Sequence, residues 1–442
     1  MNHRQQVIEI FLAGVESVKP KNLISRHVSM DNDMLWMNGI SFDLTAIKNI
    51  YVTGFGKASA AMSQALETIL DTKINGGCVI TKYGHSVPQK LVEIIEAGHP
   101  VPDENGLRGT ERILTIVNHA DKDDLVICLI SGGGSALLAD VPEGCTLDDL
   151  KLLNSLLLMT GADITEINCI RKHLSKVKGG HLSKAAYPAS LVSLIISDVI
   201  GDPLDVIASG PTTPDPTTFA DAVSILKKYK LENKIPKPLY RFLVDGTKNI
   251  HQETLKASDE TLFNTNNLII GTNKLALQTA KEKAESFGYH TQIVTNTLDG
   301  DVIDVAKYII ESIRLYGKNT CLLFGGEPTV QVTGTGLGGR NQHLALIIAN
   351  LLKDMHGITV LVAGTDGTDG PTDAAGAVVD SNTSLNASKM KLNMEQFIEN
   401  HDAYHFFEQA GGSIITGPTQ TNVMDMMIAL NDAVMYDVAA TR

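Results

Sequence analysis

A lysine and an arginine, each at the end of a glycine-rich loop, are the residues of this sequence best suited to chemistry. Lys57 closes Gly54-Phe55-Gly56-Lys57, and Arg340 follows Gly334, Gly336, Gly338 and Gly339 and leads into Asn341 and Gln342. Glycines let a backbone come close to a ligand, and the N–H groups of a helix start receive an anion. A cation at a helix start opposes the helix dipole, so Lys57 is explained if it reaches an anion. An arginine adds the two-pronged donor set that suits phosphate oxygens. A third loop, Ser131-Gly132-Gly133-Gly134-Ser135, holds more glycine and hydroxyl than a tight turn needs. Phosphate handling is the chemistry the three loops share.

Carboxylates cluster in the same way. Thr365-Asp366-Gly367-Thr368-Asp369-Gly370-Pro371-Thr372-Asp373 crowds three aspartates onto one loop, where Asp366 and Asp369 are expected to hold Mg²⁺ directly or through water. The spacing is not that of an EF-hand. Asp198, in Ser197-Asp198-Val199-Ile200-Gly201-Asp202-Pro203, and Glu327, after Phe324-Gly325-Gly326, also follow apolar runs. No G-x-x-x-x-G-K-[ST] loop, protein-kinase signature set, G-x-S-x-G elbow or H-E-x-x-H motif occurs. Gly334, Gly336 and Gly339 formally match G-x-G-x-x-G, which raises a dinucleotide site. The expected strand before them, at 329–333, alternates in polarity, unlike a buried first strand of such a fold.

The elements that must position these loops form a repeating pattern. Apolar runs of strand length at 50–53, 78–80, 125–130 and 191–196 alternate with helical patterns after Lys57 and near 107–117. That is the rhythm of a doubly wound α/β domain, with ligands at the carboxyl ends of its strands. It restarts with a strand at 268–270, a turn at Gly271-Thr272-Asn273 with Asn273 as N-cap, and a helix buried through Leu277, Ala280, Ala284 and Phe287 up to Gly288. Residues 232–256, with Pro236 and Pro238, interrupt the rhythm and are expected to lie between two lobes. The expected architecture is two α/β lobes, residues 1–245 and 246–442, with largely parallel sheets around an interdomain cleft. The first lobe is Rossmann-like, and the first helix, about 5–18, can cross to the second.

The chain has 442 residues, enough for two domains, with 43% hydrophobic and 20% charged residues. Its formal net charge of −13 argues against nucleic-acid or anionic-membrane partners. Five cysteines without C-x-x-C spacing argue against a disulfide framework or structural zinc. Neither a signal peptide nor an apolar run of membrane-spanning length is visible, so the cytoplasm is the expected compartment.

These stretches together resemble the glycerate 2-kinases with a C-terminal MOFRL domain, a family that includes proteins labelled hydroxypyruvate reductases. The resemblance rests on Val52-Thr53-Gly54-Phe55-Gly56-Lys57-Ala58, the loop at 131–138, and Glu166-Ile167-Asn168-Cys169-Ile170-Arg171-Lys172-His173-Leu174-Ser175 with Lys178-Gly179-Gly180. It continues through Ser197 to Pro203, Ala208-Ser209-Gly210-Pro211-Thr212, Gly325-Gly326-Glu327, Gly338 to Gln342 and the aspartate loop. Two positions depart from the pattern: Gly417-Pro418-Thr419-Gln420-Thr421-Asn422-Val423-Met424 replaces Gly-Pro-Thr-Gly-Thr-Asn-Val-Asn, and His343 stands where glutamate is usual. The resemblance implies ATP- and Mg²⁺-dependent phosphorylation of D-glycerate at the 2-hydroxyl, and a homo-oligomer is compatible with it. It implies Lys57 and Arg340 as a catalytic pair, with Asp198 orienting or deprotonating the hydroxyl. Neither cation lies in an apolar run, so the fold is expected to survive loss of either. Arg171, Lys172 and Lys178 are the reserve cations. A nicotinamide-dependent hydroxypyruvate reductase and a non-catalytic phospho-ligand-binding protein are the competing readings.

Overall fold

The computed structural model describes residues 2–432. By compactness the chain forms two units: residues 20–270, and residues 2–19 together with 271–432. The first unit carries a six-stranded sheet of β1 (Asn49–Phe55), β2 (Ile74–Lys82), β3 (Glu93–Ala97), β4 (Asp124–Ile130), β5 (Ser190–Ile196) and β6 (Thr265–Gly271), in the order β3-β2-β1-β4-β5-β6. The first five are mutually parallel. β4 lies between β1 and β5 and is buried at every residue, which is why its sequence is a continuous apolar run. Helices Glu104–His119 and His181–Ala186 cover the sheet through a core that includes Ile80, Ile113, Val126, Leu182 and Ile195.

A second core in this unit is helical. Helices Leu147–Met159, Ile164–His173, Phe219–Lys228 and Lys237–Gly246 bury Leu153, Leu157, Ile170, Leu226, Leu239 and Leu243 together. Thr146, Asp163 and Thr218 open the first three with reciprocal capping boxes. The prolines that suggested a linker open the fourth helix instead: Pro236 is its N-cap and Pro238 sits in its first turn, where a missing N–H costs nothing. The chain after it stays in the unit, because Leu255 N donates to Gly179 O and Asp215 N to Leu255 O. The compact unit therefore runs on to Ile270, through the sixth strand of its sheet.

The other unit holds β7 (His290–Leu298), β8 (Thr320–Gly326), β9 (Ile358–Gly364), β10 (Gly376–Asp380), β11 (Ser413–Ile414) and β12 (Asp425–Asn431), ordered β7-β8-β12-β9-β10-β11. β7, β8 and β9 point one way, and β12 is inserted antiparallel between β8 and β9. β10 pairs antiparallel with β9 and β11 antiparallel with β10, so this sheet is mixed. The N-terminal helix His3–Ser17 belongs to this unit: Arg4 forms a two-pronged pair with Asp380, and Val7, Ile10 and Phe11 are buried. Thr272, not Asn273, caps helix Asn273–Ser286; Asn273 is its first residue and donates to Val423 O and Asp425 O. No strand forms at 329–333, where Thr329 makes only an isolated bridge with Asp301.

Candidate active site

The strand order of the first unit places a topological switch between β1 and β4: the chain winds away from β1 in one direction and returns to start β4 on its other side. Ligands of open α/β sheets bind outside the carboxyl ends of the strands at such a point. The loops after β1 and β4 lie there side by side and are bonded to each other. Lys57 N donates to Gly132 O at 2.9 Å, Ser131 N to Phe55 O at 3.2 Å, and Ala58 N to Ser131 Oγ at 3.0 Å. Gly56 has φ +126°, and a Cβ there would collide with Ser131 Oγ and the Ser131 carbonyl. Gly133, at φ +82°, packs against His99 and the Lys57 stem. The sequence thus brings Gly54, Gly56, Lys57 and the 131–135 loop into one place.

Beside this junction is a cavity of about 290 Å³. Gly133, Gly134 and Ser135 form one wall, and Asp198, from the loop after β5, reaches it as well. The helical core supplies the other wall. Ile164, Asn168 and Arg171 recur at i, i+4 and i+7 on one helix face, and Leu150, Leu153 and Asn154 at i, i+3 and i+4 on another. Arg171 Nε donates to Asn154 Oδ1 at 3.0 Å. Ser135 Oγ lies 2.9 Å from Ser209 Oγ, which donates to Asn168 Oδ1 at 3.0 Å. Ala208, Ser209 and Gly210 all have positive φ, a strained run held by Gly179 N on Ser209 O and Gly180 N on Gly210 O. Gly134 is required here because a Cβ would meet that of Ala208 at 2.8 Å.

Among the reserve cations the structure discriminates. Lys172 is buried between Asp205 and Asp215 and is neutralised within the fold. Lys178 is buried; its Nζ donates to Leu138 O at 2.6 Å and lies 3.4 Å from Asp140. Burial pushes its pKa down, Asp140 pulls it up, and Arg171 lowers it again. Arg171 and Lys178 line the cavity and Lys172 does not. His173, a residue the sequence gave no role, is buried against Glu253 at 2.8 Å. Burial alone would lower its pKa, but the Cys169 carbonyl and Glu253 raise it to about 9.

The glycine loop of the other unit is built differently from the sequence expectation. Arg340 begins helix Arg340–Leu351 and is already paired twice. Its Nε lies 2.6 Å from Asp425 Oδ2 and its Nη1 2.8 Å from Glu327 Oε1, with Asp425 only 2% exposed. Burial would lower the arginine pKa, yet the two carboxylates outweigh it and the net direction is upward. Asp369 is the second departure. It is buried and accepts from Asn341 N at 3.0 Å, Gln342 N at 2.8 Å and Gln342 Nε2 at 3.1 Å. Gly339 lacks a side chain because a Cβ would strike this carboxylate. The protein's own anion fills the helix N-terminus that the sequence suggested for phosphate, so Asp369 acts as the cap that Gly339 cannot be. Burial raises its pKa to about 6, against the lowering effect of those bonds.

The expected Mg²⁺ ligands therefore separate. Among the described residues no group of three His, Cys, Asp or Glu side chains could cage a metal, and the oxygens of Asp369 are taken. Asp366 remains, partly exposed at the end of β9, with its Oδ1 accepting from Thr368 N at 3.1 Å. One such carboxylate fits a Mg²⁺ that arrives on nucleotide phosphates, since that ion is commonly held by one or two carboxylates, water and the phosphates themselves. Gly334 and Gly336 pack tightly on the backbone at 400–402, and no strand precedes them, so the G-x-G-x-x-G match lacks the context of a dinucleotide site.

Comparison with known proteins bears on both units. The family model described as a domain of unknown function (DUF4147) matches residues 6–244, and that of the MOFRL family matches residues 320–425. Glycerate 2-kinase of Pyrococcus horikoshii is 39% identical over 438 residues, covering 97% of this chain and 98% of the relative. This chain belongs to the glycerate kinase family. D-glycerate 2-kinase of Thermotoga maritima is 38% identical over 435 residues, with 97% and 98% covered. The crystal structure of glycerate kinase from Thermotoga maritima matches with a TM-score of 0.84 at 38% identity, covering 97% of this chain and 99% of that one. A relative from Agrobacterium vitis that carries a hydroxypyruvate reductase name is 40% identical over 389 residues, 86% of each chain.

Proposed function

We propose that this protein transfers the γ-phosphoryl group of ATP to the 2-hydroxyl of D-glycerate, giving 2-phosphoglycerate and ADP. The observation that carries the reading is that the Lys57 stem packs on Gly133 at the switch point, while Gly133 and Asp198 line one cavity. A phosphoryl-binding loop, a cation and a hydroxyl-directed carboxylate thus belong to one site. The named activities of the family members agree with it.

Phosphoryl transfer asks a protein mainly for positioning and for cations around a spreading negative charge. In this reading Asp198 orients the 2-hydroxyl and takes its proton as oxygen attacks phosphorus and the bond to ADP breaks. Lys57 answers the charge on the transferred group, held in place by the loop bonds of its neighbours. Ser131, Gly132, Gly133, Gly134 and Ser135 follow the phosphates with backbone and hydroxyl groups. Bound Mg²⁺ would neutralise phosphate oxygens, and Asp366 is the residue offered to hold it. Arg340 contributes to phosphate only if an oxygen anion replaces Glu327 on its Nη1 edge, Asp425 continuing to hold the other edge.

A nicotinamide-dependent reductase is disfavoured by the first unit itself. A dinucleotide site wants an acidic residue near the end of its second strand, for the ribose, and β2 ends in Thr81-Lys82. The deciding experiment incubates the full chain with D-glycerate, ATP and Mg²⁺ and follows products by phosphorus NMR. The expected result is 2-phosphoglycerate. Formation of 3-phosphoglycerate would move the attacking oxygen. No phosphorylation, with NADH consumed on hydroxypyruvate, would overturn the reading.

A further inference from the structure

The cavity of the first unit contains a cation that the fold leaves unmatched. Arg171 is half-buried, its Nε is fixed by Asn154, and it has no carboxylate partner among the described residues. A guanidinium has five N–H donors, and most of this one's remain for something else. The carboxylates that line the cavity with it, Asp140 and Asp198, do not pair with it. Asp140 is engaged by Ser175 Oγ, Lys176 N and Lys178. Lys172, one residue along, shows how the same fold treats a cation it means to silence, with a carboxylate on either side. Taking a charge out of water without a partner is costly, so an unmatched arginine in a cavity marks a place where a ligand supplies the anion.

The remaining walls define that ligand. About 290 Å³ is at the small end for ligand pockets and suits a three-carbon acid better than a nucleoside triphosphate. Leu153, Leu174 and Val206 give apolar surface that strengthens an ion pair by excluding water. The Ser135–Ser209–Asn168 chain offers hydroxyl and amide groups for alcohols. We propose that this cavity is the acceptor subsite, with Arg171, steadied by Asn154, gripping the carboxylate of a small hydroxy acid and Lys178 adding a second positive charge. The assignment rests on the proposed function for the identity of the acid, D-glycerate. It turns the substrate's hydroxyls toward the wall that carries Asp198, and it leaves the nucleotide outside this cavity.

The test is the variant Arg171→Gln, which keeps a side chain able to hydrogen-bond but removes the charge. The expected result is a KM for D-glycerate raised about 10- to 100-fold, the loss of a charge-assisted contact, with kcat changed only a few-fold and KM for ATP unchanged. Glyceramide, the same shape without the charge, is the second probe. The wild-type preference for glycerate over glyceramide should largely vanish in the variant. Asn154→Ala, which frees the arginine without removing it, should raise the same KM by a smaller factor, and it carries the test should Arg171→Gln not fold. A raised KM for ATP with glycerate unaffected, or an undiminished preference for glycerate, would overturn the assignment. Calorimetric titration of the full chain with D-glycerate alone separates this subsite from the kinase reading. Binding that is present in wild type and lost in Arg171→Gln supports the subsite even where no phosphoryl transfer occurs. Unchanged binding in the variant, with transfer intact, defeats the subsite and leaves the kinase standing.

Discussion

Alanine at Gly56 should damage both stability and turnover, and the structure sets the size of the effect. At φ +126° an L-residue carries a backbone penalty of about 1–2 kcal/mol. The added methyl also points into Ser131 backbone and hydroxyl, and overpacking of that kind costs about 1–3 kcal/mol. The expected loss is therefore about 2–5 kcal/mol, or on the order of 10 °C in Tm for a unit of this size. The control is Gly144→Ala in the same unit, where φ is +78° but nothing lies within 4 Å of the new methyl. It should lose only the backbone penalty, about 1–2 kcal/mol. Differential scanning calorimetry of the two variants separates strain from collision. Relief of the clash must push apart the loops that seat Lys57, and a displacement near 1 Å at a reacting group costs about 100-fold in kcat. Should Gly56→Ala melt with Gly144→Ala and turn over like wild type, the two loops are not locked together, and the switch-point site loses its basis.

Four further expectations follow from the same geometry. Lys57→Ala should lower kcat about 100-fold or more with a smaller effect on KM for ATP, read by steady-state kinetics. Arg340→Ala strands Asp425 in the interior and should cost about 3–5 kcal/mol by denaturant titration, while Arg340→Lys restores the charge without the two-pronged contact. Asp366→Asn should raise the Mg²⁺ concentration needed for half-maximal rate, measured by titration of the metal. His173 has a folded pKa near 9 against 6.5 for the free side chain, so its contribution is complete below pH 6.5 and lost as pH climbs through 9; Glu253, near 2 against 4.5, loses its share as pH falls through that range. Discounted for the partial exposure of Glu253, the alkaline loss is about 1–2 kcal/mol, and His173→Gln should remove that slope from a plot of Tm against pH.

The strands at 50–53, 78–80, 125–130 and 191–196 were legible because parallel strands buried in the sheet leave apolar runs, whereas the strand at 265–271, read as opening the second lobe, completes this same sheet. The reading failed where one residue type serves two purposes. Pro236 and Pro238 look alike as linker marks and as helix-start residues, and only the burial of Leu239 and Leu243 decides. The alternation at 329–333 suggested a strand, but its partner row is absent and it stays irregular. Gly339 and Asp369 were each noticed, yet their pairing across the sequence was not, since a glycine that admits phosphate and one that admits a carboxylate are identical in sequence. The same blindness led to the expectation that the fold would tolerate loss of Arg340, whose partner Asp425 lies at the start of a distant strand. The cavity wall was recorded only as the reserve cations Arg171 and Lys178. Asn154 carries no motif, and its relation to Arg171 arises from two separately capped helices.

The helix His3–Ser17 has a consequence for how the chain is made. It is translated long before residues 271–432 but belongs with them, and its partner Asp380 emerges far later. At about 5–20 residues per second the wait is tens of seconds, during which Val7, Ile10 and Phe11 have nowhere to go. In that interval residues 20–270 can complete their own sheet. The nascent protein therefore presents a sticky early segment beside an already finished domain, a condition under which chaperone capture, or docking onto the late unit of a neighbouring chain, competes with self-assembly.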